Sequence, residues 1–72
     1  MNIKELFEML LSKDQGNRNL AEAIVDAMIS NHQKTDLEAL QVLLDSYLEY
    51  PGYDAVVCKE RVEEKLISFL RQ

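Results

Sequence analysis

The sequence predicts an all-α domain, a compact antiparallel four-helix bundle. Three observations carry that prediction. Apolar residues recur at helical spacing in four separate stretches. Short breaks, "DQGN", "SNHQK" and "YPGY", separate them, and connections this short favour antiparallel neighbours. The chain has 72 residues, of which 47% are apolar, which is enough for one small core and no second domain. Three helices plus a short fourth segment is the alternative. A single domain is expected over residues 1–72, with no internal repeat and no low-complexity tract.

The first helix is expected over 3–13. Asn2 can cap it and Glu5 can complete a capping box. Ile3, Leu6, Phe7, Leu10 and Leu11 form its apolar stripe. "DQGN" at 14–17 is read as its stop, with Gly16 free to take a positive φ. The second helix is expected over 19–31, capped by Asn19 with Glu22 as the reciprocal partner. Leu20, Ala21, Ala23, Ile24, Val25, Ala27, Met28 and Ile29 leave it few polar positions, so it is placed at the centre of the bundle.

The third helix is expected to begin at Thr35, with Glu38 closing a capping box, and to stop near Tyr50, ahead of Pro51. Leu37, Leu40, Leu43, Leu44, Tyr47 and Leu48 form its buried arc. "YPGY" suits a type II turn. Asp54 is the expected cap of the fourth helix, which turns Ala55, Cys58, Val62, Leu66, Phe69 and Leu70 inward. Its other face mixes both charge signs, the pattern of a solvated helix.

A core this small stabilises a fold by only about 3–5 kcal/mol without staples. Cys58 is the single cysteine, so no internal disulfide forms, and one cysteine with one histidine is too few for a zinc site. Stability must come from packed helices, with a homodimer or a partner as a further source. No cofactor is expected. Acids inside the N-terminal apolar stretch argue against a signal peptide, and an unpaired cysteine suits the cytoplasm.

Net charge is −5, and its position is informative. Asp36, Glu38, Asp45, Glu49 and Asp54 lie between Lys34 and Lys59 with no base among them, while eight acids and eight bases balance elsewhere. Glu38, Asp45 and Glu49 fall within about 40° of each other on an ideal helix. Like charges at i and i+4 cost a helix a few tenths of a kcal/mol, and such local conflicts collect at functional sites. In "YLEYPGYD" (47–54), Tyr47 is read as a core residue, and Tyr50 and Tyr53 as aromatic groups beside the turn. Glu38, Asp45, Glu49, Tyr50, Tyr53 and Asp54 are therefore the candidate partner-binding residues. The ordinary reading of the same residues is a solvated acidic face, a turn and a cap. The favoured partner is a protein with a basic surface, such as the nucleic-acid cleft of a nuclease or toxin domain, where carboxylates stand in for phosphates.

The stretches "IKELFEMLLSK", "LLDSYLEYPGYD" and "KERVEEKLISFLRQ" together resemble the small acidic helical immunity proteins of bacteria, of the colicin D kind. That resemblance implies an inhibitor that blocks the tRNA site of a tRNA-cleaving toxin. The alternative is a generic regulatory or scaffold module that binds through an apolar groove, with Met9 and Val42 as apolar residues off the main stripes. An enzyme is not expected: His32 stands alone in a turn, and Cys58 lies on an apolar face. A DNA-reading third helix would carry acids and no base. "DSY" at 45–47 falls near a helix end, where a carrier protein needs its prosthetic serine at a helix start. Direct nucleic-acid and membrane binding are not expected.

Overall fold

The computed structural model describes residues 2–72. Four α-helices make up its regular structure: α1 (Ile3–Leu10), α2 (Gln15–Ser30), α3 (Lys34–Ser46) and α4 (Tyr53–Leu70). The all-α four-helix bundle is what the apolar periodicity predicts. Among the described residues, no helix is long and apolar enough to cross a membrane.

α1 starts as expected: Asn2 Oδ1 accepts the Glu5 backbone N–H at 2.8 Å. It ends at Leu10, three residues early, because the next cap begins at once. Ser12 Oγ accepts the Asp14 N–H at 3.1 Å, and Asp14 Oδ2 accepts the Asn17 N–H at 2.9 Å. "DQGN" is thus the start of α2 and not the end of α1. Gly16 is helical, and Asn19 lies inside α2 rather than capping it. Arg18, one turn in, is 5% exposed and donates to the Ser12 carbonyl at 2.8 Å, tying α2 back to the link.

α2 is not central. Ala21, Val25 and Met28 are buried, but Leu20 is half-exposed and Ala23 and Ala27 face outward. It closes on a Schellman motif: the His32 N–H donates to Ile29 O and the Gln33 N–H to Met28 O, each at 3.0 Å. His32 supplies the left-handed residue at φ 54 that glycine usually supplies. The motif sets where α3 can begin. Its N-cap is Gln33, not Thr35, and no side chain caps it.

α3 buries Leu37, Leu40 and Leu44 but ends at Ser46, four residues before the expected stop. Ser46 Oγ turns back to the Val42 carbonyl at 2.8 Å, a bond that weakens a helix. The Tyr50 hydroxyl donates to the Leu44 carbonyl at 3.2 Å, a second bond on an oxygen that also takes the Tyr47 N–H at 3.3 Å. Tyr47 and Leu48 therefore leave the buried arc. The link turns at Pro51 through a three-residue contact, with the Gly52 N–H donating to Tyr50 O at 2.8 Å. Gly52, at φ 127 and ψ 173, does not have the type II geometry, in which ψ is near zero. It is the N-cap of α4, and Asp54 sits in the first turn, where a negative charge suits the helix dipole.

The link 11–14 reverses the chain, so Ile3 and Leu6 meet Ile24 and Met28 around one shared cavity. Gln41 meets Glu63, and Tyr50 meets Lys59, placing α3 and α4 side by side in opposite directions. Between α2 and α4 the contacts advance in step: Glu22 meets Arg61 and Lys65, and Asp26 meets Lys65. α2 thus packs on α1 and α4 and lies diagonally across from α3. One core joins Leu6, Leu10, Val25, Leu37, Leu40 and Leu66, all 1% exposed or less.

Candidate functional site: the acidic face and the α3–α4 elbow

Glu38 and Asp45 project from the outer face of α3 and are exposed. Glu49 is exposed too, but it stands in the link and not on the helix, so the expected three-residue stripe is broken at its end. Asp54 follows on the first turn of α4. Ion pairs among the described residues are Lys59–Glu63, Arg61–Glu22, Lys65–Glu22 and Lys65–Asp26. None of them involves Asp36, Glu38, Asp45, Glu49 or Asp54. Lys59, Arg61 and Lys65 pair instead with Glu63, Glu22 and Asp26.

The tyrosines divide. Tyr53 is 80% exposed. Tyr50 turns inward: its ring meets Tyr47 edge to face at 5.2 Å, and the Lys59 ammonium lies 5.7 Å from its centroid. Burial pushes the Tyr50 phenol above its ordinary value, so it holds its proton and can donate to Leu44. Tyr47 lies at the surface edge, its ring edge-on to Phe7 at 5.6 Å. Tyr50 is therefore the strut of the elbow, and Tyr53 is one of its outward groups.

Sequence periodicity missed the other outward group. Leu48, assigned to the buried arc, is 90% exposed, because α3 stops two residues before it. Pro51 signals only that Tyr50 leaves the helix, and nothing in the apolar spacing marks the stop at Ser46. Two polar residues were also missed. Gln41 Nε2 donates to Asp45 Oδ1 at 2.8 Å and to Glu63 Oε2 at 3.2 Å, so one amide bridges α3 to α4 between two carboxylates. Its Oε1 is buried without a partner. Reversing the amide would face that oxygen toward both carboxylates, which is worse. Lys59, paired with Glu63, is held above its ordinary pKa by that hydrogen bond.

The α3–α4 link exposes Leu48 and Tyr53, and along the chain Asp45, Glu49 and Asp54, which form no ion pair, stand beside them. Such a surface offers apolar anchoring and charge attraction. No protein-family model matches the chain, and no curated protein or solved structure matches it either.

Proposed function

We propose that this protein is a small binding inhibitor that docks its α3–α4 elbow, with the acidic face of α3, onto a basic partner surface. The favoured partner is the nucleic-acid-binding cleft of a nuclease or toxin, in keeping with the resemblance to immunity proteins of the colicin D kind. One observation carries this reading: an exposed Leu48 and Tyr53 are flanked by Asp45, Glu49 and Asp54, none of which has a cationic partner among the described residues. Exposed carboxylates steer the encounter, and buried apolar anchors then supply most of the affinity. Tyr50 contributes by holding the elbow in shape.

Purified tRNA-cleaving toxin domains are the probes. One of them should bind, lose tRNA cleavage in the complex, and associate more slowly as salt rises. Asp45→Lys with Glu49→Lys should slow association about tenfold or more at low salt. Tyr53→Ala should act mainly by faster dissociation. Absence of inhibition across the set would reject the toxin reading. Salt-independent association would instead mark a module that binds through apolar surface.

A further inference from the structure

Behind the elbow, side chains from α3, the link and α4 gather round one cation. The Lys59 ammonium pairs with Glu63 Oε1 and lies 5.7 Å from the centre of the Tyr50 ring. The other oxygen of Glu63 takes the Gln41 amide at 3.2 Å, and the same nitrogen reaches Asp45 at 2.8 Å. The charges of Lys59, Glu63 and Asp45 all act on the Tyr50 phenol, so the three groups stand close to one ring. Two carboxylates face one ammonium, which leaves the cluster negative. It also has acceptors to spare: Gln41 Oε1 is buried with no donor, and Asp45 has no cation. The Lys59 side chain is 26% exposed, so water already reaches the pair from one side.

We propose that this cradle of Tyr50, Glu63 and Asp45 is the seat for a lysine of the partner, and that Lys59 occupies it in the free chain as an internal stand-in. The seat rests on a basic partner meeting the elbow; it says what the elbow recognises there and what restrains it. An aromatic face beside a carboxylate holds an alkylammonium, and Lys59 shows that one fits. The seat suits a compact ammonium on a flexible stem, not the planar fork of arginine. Exchange is easy, because a partly exposed pair at i and i+4 belongs to the weak class of ion pairs. Lys59 opposes docking in two ways. In place, it masks Glu63. Displaced, it leaves a positive charge beside a basic surface.

The test is an NMR titration of the isotope-labelled full chain with a hexalysine peptide at about 0.1 M salt. Lys59→Met should bind the peptide about fivefold more tightly than the wild type, with helix content unchanged. The resonances that move should include Asp45, Tyr50 and Glu63. Lys34→Met removes the same charge about 16 Å from Asp45 along α3, beyond the screening length of about 10 Å, and should gain little. Adding Glu63→Gln to Lys59→Met should cancel the gain, whereas adding Glu64→Gln, an equal charge change at an exposed position, should not. Equal gains from Lys59→Met and Lys34→Met overturn the seat but leave the acidic face attractive to basic surfaces. A gain that survives Glu63→Gln overturns it too. If hexalysine moves no elbow resonance in either the wild type or Lys59→Met, the seat falls together with the attraction on which the docking reading depends.

Discussion

Glu22 is where the α2–α4 contact is most sensitive to pH. Its carboxylate takes Arg61 at 3.1 Å and Lys65 at 2.8 Å, and its side chain is 16% exposed. The hydrogen bond from Arg61 holds its pKa below the ordinary 4.5, against the opposing effect of burial. A carboxylate with a lowered folded pKa binds fewer protons folded than unfolded, so its contribution is fully present above about 4.5 and is lost as pH falls below. The cationic partners are substantially exposed, which limits the gain to about 0.5–1 kcal/mol. Glu22→Gln should lower stability by that amount near neutral pH, and the difference from wild type should shrink as the solution is acidified. Urea titrations of both proteins at several pH values measure it. A gap that stayed constant with pH would mean that Glu22 acts by packing and not by charge. In Cys58 burial is the dominant effect, and the thiol is pushed up and kept protonated in the core.

The behaviour of each element turns on its ends. In α2 the cap and the glycine compete for one space. A Cβ at Gly16 would lie 3.1 Å from Asp14 Oδ2, the oxygen that caps the helix. Alanine at an exposed helical position is worth about 1 kcal/mol over glycine. Gly16→Ala in the wild type should yield well under that, since the cap must shift. In an Asp14→Ala background the full gain of about 1 kcal/mol should appear. A double-mutant cycle read by thermal melting checks this, and additive effects would show that the cap has room to move. The same competition explains what was legible in the sequence. The apolar stripes of α1, α3 and α4 could be read, because burial follows the 3.6-residue period and Leu6, Leu37, Leu40, Leu44, Val62 and Leu66 obey it, whereas α2, apolar round most of its circumference, hid which face is buried. The boundaries could not, because several residues qualify as caps and local geometry chooses. Asp14 displaced Asn19, and the Schellman turn at His32 displaced Thr35. The end of α3 depends on Tyr50 reaching back to the Leu44 carbonyl, a contact no periodicity encodes. Leu48 and Glu49 were therefore misplaced, while the lack of bases around the acids was plain from charge order alone.

For the whole molecule, the decisive question is what the uncompensated charge does to stability. Arg61 and Lys65 neutralise α2, and Lys59 serves Glu63, so the negative excess is concentrated at α3 and the elbow. Repulsion within a like-charged surface destabilises the compact state, and salt screens it over roughly 10 Å at 0.1 M. Asp45→Lys with Glu49→Lys changes the net charge of −5 by four units toward the positive, at two exposed positions that form no ion pair. The double variant should be more stable than the wild type by about 0.5–1 kcal/mol at low salt, which for a domain of this size is a rise of a few °C in Tm. The advantage should fade as salt is added. Loss of the Gln41–Asp45 hydrogen bond works against the gain, but that bond is exposed and costs little when water replaces the acceptor. Scanning calorimetry at low and high salt decides the matter. A rise in Tm would mean that the native chain keeps its acids at the expense of stability, as a surface maintained for contact does. A fall in Tm would place those acids in the structural framework and remove the main support for an acidic docking face.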